Sequence, residues 1–464
     1  MNTIPYGEAN IGFGLDVIVI EPDINAQEYK QHNIASSDFI VQFPNRQTTK
    51  KSFFVTIQIN GNIVTLESMG MTLDLSGVCK FTQGNSLRPE TSALKHLIDN
   101  SSIIPGRNLI RYILHQNKDG KETVIGTAEA YLFLWSVHDQ CIISDIDGTV
   151  TRSDVRGVID SILTESYSHI HDGVCQLFHD VIEHGKSTHD GHSQPTTTID
   201  HVTSMWQQSP PRKGQIRMLY LSSRPMSLIH STRKFLSSMT QSSLKSSTDL
   251  HETKGNDTVS ASDVKLPAGP IFLHTGNLSK VLVTELVYKS THEFKADTLA
   301  RQVVIPFIAA GKKNRVFIAG FGNKKTDYLS YRMVGLESRD IYIINKRSIL
   351  TSARHEEECD HKTEVSNSIE RTQSSALLCL ENFNVTSCNP CGMLNSVDMP
   401  LDDSYEHEID TCASSVVMSS SAITIYTDPR VVKENDVGIK SSVKFTGYSD
   451  PRLKKELFQR MYTC

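Results

Sequence analysis

The chain has no long hydrophobic run; nowhere do enough consecutive apolar residues occur to cross a bilayer as a helix. Its first residues lack the order of a secretory signal, so export is not expected. An excess of one charge sign is also missing: 47 Lys and Arg stand against 52 Asp and Glu, a formal net charge of −5. No bulk pull toward nucleic acid or anionic lipid follows from that balance. Nine cysteines are scattered rather than spaced as a framework, which points to a reducing compartment. The single CxxC, Cys388 to Cys391, lacks the second pair that a zinc site usually has. His184, His189 and His192 show no regular ligand spacing and read as part of a polar insert. Tryptophan is rarest, with only Trp135 and Trp206.

What is present is a chain of 464 residues, long enough for two or three domains. Its 38% hydrophobic and 21% charged content fits a globular protein. The most informative stretch is "IISDIDGTVTRSD", Ile142 to Asp154. A short apolar run there reads as a buried parallel strand. Asp145 and Asp147 then fall at its carboxyl end, where open α/β sheets bind ligands. The pattern Asp-x-Asp-Gly-Thr resembles motif I of the haloacid-dehalogenase-like phosphatases, which implies phosphate-monoester hydrolysis; that reaction needs a very large barrier reduction, and a carboxylate nucleophile divides it into two steps. A divalent cation held by oxygen ligands relieves the repulsion between carboxylate and phosphate, and Mg²⁺ suits such a site. Asp145 is the candidate nucleophile and metal ligand. Asp147 is the candidate acid and then base, with a backbone carbonyl able to reach the metal. Gly148 permits a tight turn, and the Thr149 hydroxyl can fix it. The plainer alternative is a strand-end turn with two solvated aspartates.

Further stretches follow in order. "IRMLYL" (Ile216 to Leu221) runs into Ser222, Ser223, Arg224 and Pro225. "LPAGPIFLH" (Leu266 to His274) precedes a segment holding Lys289, Phe294 and Lys295. "RVFIAGFGNKKTD" (Arg315 to Asp327) again leads an apolar run into polar oxygens, and "YRMVGLESRDIYIIN" (Tyr331 to Asn345) follows. Taken singly, Ser222 reads as a capping residue, Lys295 as a surface lysine and Asp327 as a solvated acid.

Taken together, these stretches resemble the lipins, Mg-dependent phosphatidate phosphatases of the haloacid-dehalogenase-like group. Asp-x-Asp-Gly-Thr resembles motif I of that group, and "SDIDGTVTRSD" resembles the narrower lipin signature. The resemblance runs from about Ser86 to about Arg347. It implies that Ser222 donates to phosphate, that Ser223, Arg224 and Gly148 help hold substrate, and that Lys295 pairs with phosphate or Asp145. It also implies that Asn323 and Asp327 complete the Mg²⁺ shell with Asp145 and Asp147. The implied reaction converts phosphatidate in membranes to diacylglycerol and phosphate in lipid synthesis. The implied place is the cytoplasm, peripheral to the endoplasmic-reticulum or nuclear membrane, with no nucleic-acid partner.

Upstream, Leu15 to Glu21, Phe39 to Phe43 and Phe53 to Leu66 read as short strands, with a hairpin turn at Asn60-Gly61. Asn108 to Val137 holds two more, around Asp119-Gly120. Neither stretch has enough strands to close a sandwich alone, so joint folding is expected. The fold expected is α/β: a haloacid-dehalogenase-like Rossmannoid parallel sheet with helices. Beside it, the lipin resemblance implies an immunoglobulin-like β-sandwich built from both β-rich stretches. The divisions are 1–83 (amino-terminal β region), 84–137 (completing β segment) and 138–351 (catalytic domain), with polar inserts near 183–213 and 241–264. A mostly flexible tail is expected over 352–464, with order only at Ala422 to Thr427 and a helix at Leu453 to Tyr462. That helix is expected to dock on the body or lie on its surface rather than touch a bilayer.

Two departures from lipins stand out. Met1 to Gly14 does not read as the amphipathic helix that lipins use at membranes. The inserts, Trp135, Trp206 and the carboxyl-terminal helix are the candidate replacements, Trp206 foremost. Arg156 to Asp160 also lacks the Leu-x-x-Ile-Leu coactivator motif of animal lipins. Two rival readings are a non-catalytic phosphatidate-binding membrane sensor and a related phosphatase of a soluble phosphomonoester. Retention of Asp145, Asp147, Ser222, Lys295 and Asn323 favours an enzyme over the sensor.

Overall fold

A computed structural model describes residues 10–23, 33–44, 53–152, 170–187, 214–242, 263–275, 291–354 and 441–462. The chain falls into two units, 1–355 with 439–464, and 356–438; the second lies outside the described residues.

The amino-terminal part is built from strands. In chain order these are β1 (Asn10–Ile11), β2 (Phe13–Gly14), β3 (Val17–Glu21), β4 (Ala35–Ser36), β5 (Val41–Gln42), β6 (Phe53–Ile59) and β7 (Asn62–Ile63), then β8 (Met71–Leu73), β9 (Cys79–Phe81), β10 (Gly106–Lys118) and β11 (Lys121–Ser136). Nine of them form one sheet ordered β4-β3-β11-β10-β6-β8-β9, with β1 beside β11 and β7 beside β6; β2 and β5 pair separately. Both β-rich stretches therefore share a sheet: β10 pairs antiparallel with β6, and β11 pairs parallel with β3. Val55, Ile57 and Ile59 point inward from β6, and Ile110, Tyr112 and Leu114 from β10, as a period of two requires. The hairpin turns lie where the sequence places them. Asn60 and Gly61 have φ of 50° and 89°, and Asp119 and Gly120 have 54° and 76°. The connection after Gly84 contains a helix, α1 (Thr91–Asp99), whose Ala93, Leu94 and Leu97 make one apolar stripe against this core.

The second sheet carries most of the expected site residues. Its strands are β12 (Gln140–Asp145), β13 (Ile216–Pro225), β16 (Ile271–His274), β17 (Phe317–Gly322), β18 (Ile341–Ile344), β19 (Leu350–Arg354) and β20 (Ser441–Phe445). The order is β16-β13-β12-β17-β18-β19-β20; the first five run parallel and the last two join antiparallel. Every residue of β17 is buried, and so is Cys141 to Asp145 on β12. That continuous burial marks strands covered on both faces. The architecture is α/β, with α2 (Val174–Ser187), α3 (Ile229–Ser238), α4 (Thr291–Leu299), α5 (Ile305–Ala309), α6 (Lys325–Met333) and α7 (Pro451–Tyr462).

Strand β3 joins the two parts. Val17 and Val19 face the core of the nine-stranded sheet, while Ile18 and Ile20 face a core shared with Ile143, Leu219 and Phe317. Buried Asp16 accepts from the Tyr131 N–H (2.9 Å), the Ile271 N–H (2.9 Å) and Arg233 Nη2 on α3 (2.6 Å).

Several expectations change. Trp135 is no membrane anchor: it is 3% exposed and packs beside Phe133 and Phe307. Residues 441–462 do not continue a flexible tail. Phe445 pairs opposite Leu350, and Leu453 and Leu457 bury in the core that holds Ile142 and Tyr342. The helix docks on the body; the strand before it pairs with β19 far upstream, Phe445 opposite Leu350, so local composition did not reveal that strand. Glu183 to Ser187 of the first insert complete α2, and the second is closed at its base by β14 (Thr240–Ser242) against β15 (Asp263–Lys265). The expectations for residues 1–9, Arg156 to Asp160, His189, His192, Trp206, Lys289, Cys388, Cys391, Ala422 to Thr427 and the interiors of both inserts fall outside the described residues.

Candidate active site

Parallel strands all end at one edge of their sheet, so the turns after them converge there. β12 delivers Asp145 to that edge, β13 delivers Ser222 and Arg224, and β17 leads into α6 with Asp327. α4 brings Lys295; the neighbouring Phe294 ring lies 4.3 Å from that of His274 at the end of β16. The turn after α4 is tied to the amino-terminal part, where Gln302 accepts the Asp38 N–H (2.8 Å) and donates to its carboxylate (2.9 Å).

Four of the expected residues form one buried cluster. Lys295 Nζ donates to Asp145 Oδ1 at 2.5 Å and to Asp327 Oδ1 at 2.5 Å. Thr149 Oγ1 donates to Asp145 Oδ2 at 3.0 Å. None of the four is more than 4% exposed. Asp327 also caps α6, accepting the N–H groups of Asn323 (2.9 Å) and Lys324 (3.0 Å) through Oδ2. A carboxylate in a first helical turn satisfies orphan donors and meets the positive end of the helix dipole. Gly322 permits this approach, since a Cβ there would sit 2.4 Å from Asp327 Cβ.

One ammonium faces two buried carboxylates, and the site carries the imbalance. Burial pushes the Asp145 carboxyl up to about 7; Lys295 opposes this, while the charges of Asp327 and Asp147 add to it. Burial alone would discharge Lys295, but Asp145 and Asp327 outweigh it and hold the ammonium above the ordinary lysine range.

Asp147 belongs to a second cluster. Arg224 grips it in a fork, Nη2 to Oδ1 at 2.6 Å and Nε to Oδ2 at 3.0 Å, and Ser222 Oγ donates to Oδ2 at 3.0 Å. The Arg224 N–H donates to Ser222 Oγ at 3.1 Å. Gly148 lies between the clusters with φ of 84°, a left-handed conformation that favours glycine. Its N–H donates to Thr151 Oγ1 at 3.0 Å. Ser223 is half-buried between Ser222 and Arg224.

The expected residues thus divide into a Lys295 cluster and an Arg224 cluster, joined by the turn from Asp145 to Thr149. The oxygens of Asp145, Asp147, Asn323 and Asp327 are all hard donors. They fit a cation that takes one or two carboxylates and keeps its waters. Among the described residues, no group of three or more His, Cys, Asp or Glu side chains is placed to hold a metal ion. Tyr448 was not anticipated: its hydroxyl donates to the Thr149 carbonyl at 2.9 Å, across 299 residues of chain. The only nearby sequence signal was the helix pattern that follows it.

Comparison with known proteins identifies relatives of this chain. A family model described as LNS2 (Lipin/Ned1/Smp2) matches residues 85–189 and 194–372. The human "Phosphatidate phosphatase LPIN1" is 27% identical over 267 residues, 55% of this chain and 23% of that protein. "Phosphatidic acid phosphohydrolase 1" of Saccharomyces cerevisiae is 27% identical over 246 residues, 52% of this chain and 22% of that protein. "Phosphatidate phosphatase PAH1" of Arabidopsis thaliana is 26% identical over 243 residues, 52% of this chain and 20% of that protein. The match therefore spans less than a quarter of the length of each of these relatives. The model match alone takes in more than half of the chain, with all the strands that carry the two clusters, and on that basis the chain belongs to the LNS2 (Lipin/Ned1/Smp2) family.

Proposed function

We propose that this chain is a Mg²⁺-dependent phosphatase that hydrolyses phosphatidate to diacylglycerol and phosphate. The observation that carries the reading is Asp145 held between Lys295 and Thr149, one turn from an Asp147 gripped by Ser222 and Arg224. The relatives' names supply the lipid; the clusters supply phosphomonoester chemistry.

Asp145 attacks phosphorus and forms an aspartyl-phosphate while the bond to the glycerol oxygen breaks. Asp147, protonated at that moment, gives its proton to the departing oxygen. As carboxylate it then takes a proton from water, which attacks phosphorus, breaks the bond to Asp145 and frees phosphate. The substrate phosphate competes with Asp147 for Ser222 and Arg224, which frees Asp147 to act. Lys295 stabilises the negative charge that develops beside Asp145. Asp145, Asp327, Asn323 and the Asp147 carbonyl are the oxygens that would hold Mg²⁺, which when bound neutralises phosphate charge.

The strand order and strand-end site support reading the parallel sheet as haloacid-dehalogenase-like, and the sharing of the nine-stranded sheet by both β-rich stretches supports reading it as the immunoglobulin-like part. No helix among the described residues is long and apolar enough to cross a membrane, which accords with substrate met at a bilayer surface.

The test is phosphate release from phosphatidate liposomes and from a soluble phosphomonoester, with and without Mg²⁺. Release from liposomes that needs Mg²⁺ and Asp145 is expected. Activity confined to the soluble ester moves the substrate class, and vesicle binding without turnover supports the sensor. Asp147→Asn is expected to cut turnover severely while the protein stays folded; undiminished turnover contradicts its acid–base role.

A further inference from the structure

We infer that Tyr448 is a positioning residue for Asp145: its hydroxyl, delivered by the carboxyl-terminal segment, holds in place the turn that carries Asp145, Asp147 and Thr149. This deepens the phosphatase reading and rests on it.

The turn's own backbone donors are concentrated on a single acceptor. The N–H groups of Thr149, Val150 and Thr151 all converge on one carbonyl, that of Ile146, at 3.3, 3.0 and 3.2 Å. The following buried carbonyls need partners from elsewhere. The His171 N–H meets the Val150 carbonyl at 3.0 Å, and the Tyr448 hydroxyl meets the Thr149 carbonyl at 2.9 Å. Thr149 is also the residue whose Oγ1 donates to Asp145. Its backbone is held from behind by Tyr448 while its side chain holds the carboxylate in front.

Tyr448 is itself fixed. It is 2% exposed, and its ring packs against Phe178, Phe321 and His171 at 5.7, 5.9 and 6.1 Å. Burial, then the Asp145 charge, push its ionisation well above the ordinary phenol range, so the hydroxyl stays a donor. The segment around it is pinned on both sides. β20 pairs with β19, Lys454 of α7 meets Asp180 at 2.6 Å, and Arg460 meets Asp340. Tyr448, β20 and α7 lie past residue 372, where the family match ends, while the partners that pin them lie within it. The segment beyond that match therefore builds one wall of the site.

Tyr448→Phe keeps the ring and removes the hydroxyl. In the full chain, hydrogen exchange of the amides over 146–151 is expected to accelerate about tenfold or more, as a lost anchor permits local opening. The kcat for phosphate release is expected to fall about tenfold or more with KM nearly unchanged, the mark of lost alignment rather than lost binding. Tyr342→Phe is the control, since it removes a hydroxyl that meets α7 at Glu456 (3.3 Å), away from the turn. It is expected to leave both readouts as they are. Unchanged exchange or unchanged kcat in Tyr448→Phe overturns the inference, and so does an equal effect of Tyr342→Phe, which would mean general loosening. The exchange readout needs no substrate. Failure of the phosphatase reading, seen as turnover that survives Asp145→Asn, is thus separable from failure of the anchor.

Discussion

In the nine-stranded sheet most neighbours run in opposite directions, so their ends alternate between two edges. In the seven-stranded sheet five successive strands are parallel neighbours, and the turns after β12, β13 and β17 meet at one edge. Both regions bury carboxylates, but to different ends. Asp16 accepts two backbone N–H groups and pairs with Arg233, so it is satisfied and joins the two parts. Asp145 shares one ammonium with Asp327 and is left with a carboxyl pushed up to about 7 by burial. A balanced buried charge holds a fold together. An under-compensated one at converging strand ends is a place where chemistry can be done.

That contrast can be broken in several ways. The largest effect is expected from Asp145→Asn, a loss of phosphate release on the order of 10⁴-fold or more with the fold intact. Asp16→Asn should do the reverse, lowering the unfolding temperature while turnover per folded molecule persists. If both variants lose turnover alike while folded, the division of labour is wrong.

Next in size is removal of a cation. Lys295→Met leaves two buried carboxylates facing each other, and urea unfolding should show a loss of about 3–5 kcal/mol. Arg111→Met in the nine-stranded sheet breaks a pair whose side chains are 42% and 46% exposed, for about 0–1 kcal/mol. Equal losses would erase the distinction.

The pH dependence sharpens it further. The Asp145 carboxyl is raised from 3.8 to about 7, so the folded state binds a proton there that the unfolded state has released. Its contribution to stability is full below about pH 4 and is lost as pH rises through 7. In metal-free protein, the unfolding temperature of wild type relative to Asp145→Asn should therefore fall from pH 4 to pH 8. A flat difference rules out the raised carboxyl.

The smallest effect is at the β6–β7 turn. Gly61→Ala meets no atom within 4 Å but keeps a φ of 89°, so a cost on the order of 1 kcal/mol with turnover unchanged is expected.

Much of the site was legible because its signals are local. A strand followed by Asp-x-Asp-Gly-Thr states where the carboxylates fall, since strand, turn and glycine conformation are decided by adjacent residues. The hairpins at Asn60-Gly61 and Asp119-Gly120 were legible for the same reason. The partners were not. Nothing near Arg224 says that it grips Asp147, 77 residues away, and nothing near Asp327 says that it shares Lys295 with Asp145. Residues 441–445 look polar by themselves and become a strand only because β19 offers an edge.

By itself, then, the order of residues determined the strands, the turns and the kinds of chemical group at each strand end, because backbone preference and apolar patterning act over a few neighbours. Which carboxylate is balanced, which is left short of charge and which distant hydroxyl braces the turn were decided only in three dimensions. Those outcomes depend on desolvation and on contacts between groups up to 299 residues apart, and both exist only once the sheets have closed.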